Sequence, residues 1–253
     1  MPQAALPHIN KSNFFRTPPL PPSELPLRRV AAYLREHYPE IPLAVIEKID
    51  RCGEQGVYSR CGRHWCPDCA KRQARRTIAR ARRIDRVLSQ AGELGLASTM
   101  MTICPPPDVP ASEVRSAHQR LAKAFTRLAS SRPYQNLVKG AARGIEISVN
   151  DCGLYHVHGH IVLVHDPSNG DAVRNLATQK IFSSLGVEPY FSEEWDGVAV
   201  EALARYCTKD ATDDAQTWLD LRAATVGSQR VSFSGVLRAA NSRGSAHGKK
   251  SRR

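Results

Sequence analysis

The chain has 253 residues, with 36 Lys and Arg against 24 Asp and Glu, a formal net charge of +12 and an isoelectric point near 9.7. This length accommodates one core of catalytic-domain size plus a small appended module, because domains commonly span about 100–200 residues. So positive a field attracts polyanions, of which nucleic acid is the commonest in a cell. The sequence has neither a run of about 18 apolar residues nor a basic-then-apolar leader, so we expect a cytoplasmic protein that binds no membrane.

The N-terminal segment, residues 1–27, is rich in proline and has no apolar periodicity. This composition predicts a flexible arm. A short helix is expected to follow over residues 28–38.

Four of the seven cysteines, Cys52, Cys61, Cys66 and Cys69, lie within eighteen residues. Four thiolates are the number that a tetrahedral Zn²⁺ requires, and a Cys-x2-Cys knuckle is typical of zinc modules. A redox pair or unpaired core cysteines are the alternatives, and His64 can replace one thiolate as a ligand. We predict a structural zinc module over residues 28–92.

A strongly basic segment without Gly or Pro follows the knuckle and is expected to be helical. Asp85 is its only acid. Arginines three and four residues apart share a helix face and can lie along a phosphate backbone. A solvated helix face is the alternative, but one acid allows few compensating ion pairs. The predicted DNA contacts are Arg72, Arg75, Arg76, Arg80 and Arg83.

Residues 93–238 are predicted to form the main domain. Strands are expected over 97–103, 143–150 and 155–164, with a turn at 151–153 that makes the last two a β-hairpin, and a short strand and turn over 230–238. Helices are expected over 111–130, 171–185 and 197–209. The basic Gly/Ser segment 239–253 is predicted to be a disordered tail.

The third of these strands places His156, His158 and His160 on one face, because alternate residues of a strand point the same way. The outer two lie about 13 Å apart at about 3.3 Å per residue, too far for all three to hold one ion. We choose His158 and His160 as ligands of a divalent ion, since the apolar run follows them directly, and leave His156 as a DNA contact or a supporting group. The alternative is a strand whose solvent face carries histidines.

Glu146 is the only acid on the neighbouring strand of the predicted hairpin, so it can supply a carboxylate ligand beside the histidines. Counting outward from the turn does not fix its register. Tyr206 and Lys209 lie three residues apart on the last predicted helix, which puts phenol and ammonium on one face. A tyrosine at the edge of the core is the alternative.

These motifs, in this order, resemble the rolling-circle replication initiators of plasmids and phages, within the HUH endonuclease superfamily. The resemblance covers roughly residues 52–238: Thr99-Met-Met-Thr102 is similar to the first motif, His158-Gly159-His160 to the metal-binding second, and Tyr206-Cys-Thr-Lys209 to the third. The cysteine knuckle with its arginine helix, and Arg-Gly-Ile-Glu-Ile-Ser before Tyr-His-x-His-x-His, resemble the plasmid group. Two positions depart: Gly159 replaces a bulky apolar residue, and Ala202 replaces a glutamate that activates water at termination.

The resemblance implies an α+β fold, an antiparallel sheet with flanking helices, beside the zinc module. It also implies a nickase and strand transferase in which Tyr206 attacks the scissile phosphate of single-stranded origin DNA, giving a 5′-phosphotyrosine and a 3′-hydroxyl. Lys209 would stabilise charge, and Mn²⁺ or Mg²⁺ would sit on His158, His160 and Glu146. Host polymerase and helicase would be the partners.

Two other functions fit parts of the same sequence. A transposase or relaxase of the superfamily would share the chemistry, but one transposase group carries two nearby tyrosines, and here Arg205-Tyr206-Cys207 holds one. A zinc-dependent DNA-binding regulator would use only the cysteines and the arginine helix. It would need neither Tyr206 nor a second metal.

Overall fold

The computed structural model describes residues 26–54, 60–63, 65–93, 95–150, 152–192, 199–208, 215–225 and 230–238. Within these residues lie five strands: β1 Ala97–Ile103, β2 Val138–Val149, β3 Tyr155–His165, β4 Tyr190–Ser192 and β5 Val231–Gly235. The helices of the first half are α1 Leu27–His37, α2 Leu43–Asp50, α3 Pro67–Glu93 and α4 Val114–Ser130. Those of the second half are α5 Arg132–Leu137, α6 Gly170–Leu185, α7 Ala199–Thr208 and α8 Ala215–Ala224.

The strands form one antiparallel sheet in the order β4-β1-β3-β2-β5. The histidine strand β3 is therefore central, between β1 and β2. Its first half alternates between buried and half-buried residues, and from Ile161 to His165 every residue is buried. This change of pattern means that the start of β3 has one open face, while helices cover both faces of its end.

Helices α4 and α6 cover one face of the sheet, where Leu121 and Phe125 pack in a core with Ile145 and Ile161. Gly159 lies on this face, and a methyl group added there would collide with the Phe125 ring and come within 3.0 Å of Leu121. The aromatic ring of α4 thus occupies the space that a larger residue at 159 would need.

Helices α3 and α7 cover the opposite face. Ile84 of α3 and Leu203 of α7 pack there with Val162 and Val164 of the histidine strand. Because His158 and His160 precede these valines at the same two-residue spacing, the histidines lie on the face that carries α3 and α7.

A further core lies at the start of the chain, where α1, α2 and the cysteine segment pack together. Helix α8 joins this core through Trp218 and Leu219. Asp220 accepts hydrogen bonds of 2.8 Å from the hydroxyls of both Tyr33 and Tyr38. The predicted zinc module thus buries side chains from the opposite end of the sequence.

The predicted α+β class, with an antiparallel sheet and flanking helices, is confirmed. Strand β2 begins at Val138, five residues before the predicted start at Arg143, and α2, α5, α8 and β4 were not predicted from the sequence. The predicted tail 239–253 and nearly all of the arm 1–27 lie outside the described residues. No helix among the described residues is both long and apolar enough to cross a bilayer.

Candidate active site and metal-binding groups

The hairpin register places Glu146 beside the histidines. Glu146 and His158 are direct cross-strand partners, and Glu146 Oε2 lies 3.1 Å from His160 Nε2. One donor atom from each of Glu146, His158 and His160 lies within 4.8 Å of the other two. The three residues named as ligands are therefore together on one face, and ion binding by them stays a prediction.

The donor chemistry of this group fits a divalent ion. Nε2 of His158 is buried without a hydrogen-bond partner among the described residues. Burial, helped by neighbouring His156, lowers the pKa of His158 to about 4, so the ring is neutral at pH 7 and keeps a lone pair for a metal. Octahedral ligands about 2.1 Å from an ion are about 3.0 Å apart, close to the observed Glu146–His160 spacing. Two imidazoles and a carboxylate are a mixed nitrogen and oxygen donor set, which favours Mn²⁺ over the harder Mg²⁺.

A threonine of β1, missed as a site residue, holds one of these histidines. Thr102 is the cross-strand partner of His160, and its Oγ1 lies 3.1 Å from His160 Nδ1. When Nε2 binds a metal, Nδ1 carries the proton and donates it to this hydroxyl, which fixes the ring. Thr99 instead pairs with His165 Nε2 at 2.9 Å in the core. The motif match at Thr99–Thr102 was the available signal.

Helix α7, which carries Tyr206, packs on the same face of the sheet through Leu203 and Cys207. Gly144, the cross-strand partner of His160, allows this approach, because a Cβ there would collide with Cys207 Sγ and meet Leu203 Cδ2 at 2.8 Å. Tyr206 precedes Cys207 and is 57% exposed, so its phenol is accessible. Lys209 lies outside the described residues.

A buried acid of the arginine helix α3 fixes the start of α7. The buried Asp85 carboxylate accepts backbone hydrogen bonds from Val200, at 3.1 Å, and Glu201, at 2.7 Å. Both N–H groups belong to the first turn of α7, where backbone N–H groups have no acceptor within the helix. Asp85 thus acts across helices as the cap that positions the tyrosine helix.

Glu201 is engaged in ion pairs. Its Oε1 lies 2.8 Å from Arg82 Nε on α3 and 2.6 Å from Arg205 Nη2 on α7. Arg82, and to a smaller extent Arg205, lowers the pKa of Glu201, so the carboxylate stays ionised. Glu201 therefore ties α7 to α3, while Ala202 stands where the family's water-activating glutamate is expected.

The four clustered cysteines converge. Cys69 Sγ lies 3.6 Å from the sulfurs of both Cys52 and Cys61, and all four donor atoms are mutually within 4.8 Å. Sulfurs about 2.3 Å from a tetrahedral Zn²⁺ are about 3.8 Å apart, so this cluster fits zinc. The hydrogen bond between Cys61 and Cys66 lowers the pKa of Cys61 and raises the pKa of Cys66, because neighbouring thiols in this cluster share protons. His64, the alternative ligand, lies outside the described residues.

The predicted DNA contacts on α3 differ in exposure. Arg75, Arg76 and Arg83 are exposed, whereas Arg72 and Arg80 are half-buried. The Arg80 guanidinium lies 4.4 Å from the centroid of the Phe233 ring, a cation–π contact. DNA binding by these residues stays a prediction, and Arg80 also packs within the protein.

A family model described as "Replication protein" matches residues 55–185, just over half of the chain. The chain belongs to this rolling-circle Rep family. The matched residues include three of the clustered cysteines, the arginine helix and the whole of β1 and β3. They end before α7, so the match does not extend to Tyr206.

Neither the curated proteins nor the solved structures contain a match to this chain. Membership of the Rep family makes the protein a rolling-circle replication initiator that binds DNA.

Proposed function

We propose that the protein starts rolling-circle replication by nicking one strand of its own origin through a transesterification. The observation that supports this proposal is the packing of α7 on the sheet at Gly144, the strand neighbour of His160. This helix carries the exposed Tyr206, and it packs on the face of the sheet that also carries Glu146, His158 and His160. This arrangement combines a nucleophile with a site for an ion that withdraws charge from phosphate.

The Tyr206 oxygen attacks phosphorus of the scissile phosphodiester. The new bond joins Tyr206 to the 5′-phosphate, the bond from phosphorus to the 3′-oxygen breaks, and the departing oxygen takes a proton to become a 3′-hydroxyl that a host polymerase can extend. A phenol with its ordinary pKa near 10 is mostly protonated at pH 7 and needs a cation beside it. Lys209, three residues further along the sequence, supplies this charge.

Glu146, His158 and His160 hold the catalytic Mn²⁺ or Mg²⁺, and Thr102 orients His160. An ion held by these residues would supply positive charge to offset the negative charge that develops on the phosphate oxygens. Arginines of α3 hold the DNA backbone through charge-assisted hydrogen bonds. They are Arg72, Arg75, Arg76, Arg80 and Arg83. The structural zinc is bound by Cys52, Cys61, Cys66 and Cys69. The arginine helix begins at this zinc module.

The test is a denaturing gel of protein incubated with Mn²⁺ and labelled single-stranded DNA tiled across its replicon. The wild type is expected to form a covalent adduct on one tile, and Tyr206→Phe to form none while its DNA affinity stays within a few-fold. Tyr190→Phe is the matched control, because Tyr190 is also an exposed tyrosine of the described residues, at 72%. An adduct formed by Tyr206→Phe would refute the assignment.

The same gel tests the metal group. Replacing His158 and His160 together by alanine removes two of the three ligands, so we expect Mn²⁺-dependent adduct formation to fall below detection. Retained Mn²⁺-dependent cleavage by that variant would exclude the site. A wild type that binds DNA tightly but forms no adduct on any tile would favour the zinc-dependent regulator.

A further inference from the structure

A second group of metal-binding side chains adjoins the first and shares His158 with it. It consists of Cys104, just after β1, with His156 and His158 of β3. Cys104 Sγ lies 3.8 Å from His158 Nδ1, the two imidazole centroids are 3.8 Å apart, and one donor atom from each residue lies within 4.8 Å of the others. No step of the proposed nicking reaction uses Cys104 or His156.

His156 is held in the tautomer that a metal ligand requires. Its Nδ1 pairs with Asp108 Oδ1, and Asn150 Nδ2 donates to Asp108 Oδ2 at 2.7 Å. With the proton on Nδ1, the lone pair is left on Nε2. A carboxylate that orients a ligating histidine in this way is a regular feature of zinc sites.

The donor set selects a different ion from the neighbouring group. A thiolate with two imidazoles is soft and suits Zn²⁺, whereas Mg²⁺ and Mn²⁺ prefer oxygen. A tetrahedral Zn²⁺ with bonds of about 2.3 Å to sulfur and 2.0 Å to nitrogen separates these atoms by about 3.5 Å. The 3.8 Å between Cys104 Sγ and His158 Nδ1 is close to that value.

The shared histidine makes the two groups mutually exclusive. A neutral imidazole has a lone pair on one ring nitrogen only, so His158 can serve one ion at a time. We infer that Cys104, His156 and His158 form a Zn²⁺ site whose occupation withdraws His158 from Glu146 and His160 and so inhibits nicking. The inhibition rests on the proposed function, and the zinc binding does not.

Zinc binding is measured first, on the full-length protein with its four-cysteine cluster already loaded. Competition with a chromogenic chelator is expected to reveal one further Zn²⁺ per chain, and Cys104→Ser to weaken it at least about 100-fold. Cys152→Ser is the matched control, because Cys152 is also an exposed free cysteine and lies in the turn after β2. Equal zinc affinity in Cys104→Ser and the wild type would overturn the site.

Two variants distinguish this site from the neighbouring one. Asp108→Asn is expected to weaken the additional Zn²⁺ about 10–100-fold by releasing His156. Glu146→Gln is expected to leave it within a few-fold. The reverse ranking would place the zinc on Glu146, His158 and His160 and refute the inference.

The nicking assay then tests the consequence. Zn²⁺ at the concentration that fills the second site is expected to suppress Mn²⁺-dependent adduct formation by the wild type and by Cys152→Ser, but not by Cys104→Ser. Equal inhibition of all three would refute competition through Cys104. If no protein nicks DNA, the proposed function fails, while the chelator measurement still decides whether the zinc site exists.

Discussion

Gly159 fits the histidine strand to helix α4, since any side chain there would collide with Phe125. We expect Gly159→Ala to destabilise the fold by about 1–3 kcal/mol, the usual cost of overpacking a core. Urea unfolding measures this loss. Gly170→Ala is the control, because a methyl group at Gly170 meets its nearest neighbour at an ordinary 3.7 Å.

A second substitution identifies the clash. Phe125→Leu removes the ring atom nearest Gly159, so Gly159→Ala should cost less in a Phe125→Leu background, with a coupling of at least about 0.5 kcal/mol. Strictly additive losses would show that Phe125 does not limit residue 159.

His118, buried on α4, makes stability depend on pH. Burial, assisted by Arg230, lowers its pKa to about 4 from an ordinary 6.5. Between these values the unfolded chain binds a proton that the folded chain excludes, so the free energy of unfolding falls as the pH drops from about 6.5 to about 4. The contribution of His118 between pH 7 and pH 5 is about 2 kcal/mol.

Urea unfolding of the wild type and His118→Leu at both pH values isolates this contribution. The variant should lose about 2 kcal/mol less than the wild type on going to pH 5. At pH 7 the only expected loss of stability in the variant is the cost of repacking the core around leucine. No hydrogen bond of Nε2 is lost, since His118 Nε2 has no hydrogen-bond partner among the described residues. An identical pH dependence would contradict the prediction.

The histidine pair could be predicted from sequence, because strand alternation places His158 and His160 on one face whatever the rest of the fold does. The position of Glu146 could not, since it depends on a register that the Asn150–Leu154 turn sets through hydrogen bonds that sequence does not reveal. The pairing of Asp108 with His156 could not be predicted either, because Asp108 comes from a different part of the chain and no local pattern links the two residues.

At the scale of elements, α7 is positioned from α3. Asp85→Asn keeps the shape of the side chain but removes the charge and turns an amide group towards a backbone N–H. We expect a loss of about 0.5–2 kcal/mol in stability and a fall of at least about tenfold in nicking, because Tyr206 is displaced. Unfolding curves and the adduct gel measure the two effects.

Asp171→Asn is the control for that substitution, since Asp171 is an exposed acid in the first turn of α6. DNA affinity of Asp85→Asn should stay within a few-fold of wild type. Unchanged nicking would show that the cap does not position the tyrosine.

Helix α8 shows why some elements were missed. Trp218 and Leu219 pack in the core of the cysteine segment, whereas Leu221 packs in the core beneath α4. A helix that is buried on two sides lacks the single apolar stripe on which helix prediction depends. Helices α4 and α6, by contrast, each bury residues on one stripe and were predicted within a few residues.

At the scale of the whole molecule, the cysteine cluster stabilises a core shared by both ends of the sequence. Cys66→Ser should lower zinc content and shift the melting transition of the zinc-loaded protein downward by several degrees, because a structural zinc contributes directly to folding. Differential scanning calorimetry with zinc analysis measures both, with Cys152→Ser as the control. A wild type without zinc and with an unchanged transition in the variant would contradict the zinc assignment.

The contacts of α8 also have a consequence for synthesis on the ribosome. Trp218 and Leu219 of α8 complete the packing of the N-terminal core. Tyr33 and Tyr38 of that core donate their hydroxyl hydrogen bonds to Asp220 of the same helix. Because a chain is synthesised from its N-terminus, this apolar surface stays exposed until Trp218 and Leu219 have been made. Helices α1 and α2 are therefore made long before the helix that completes their core.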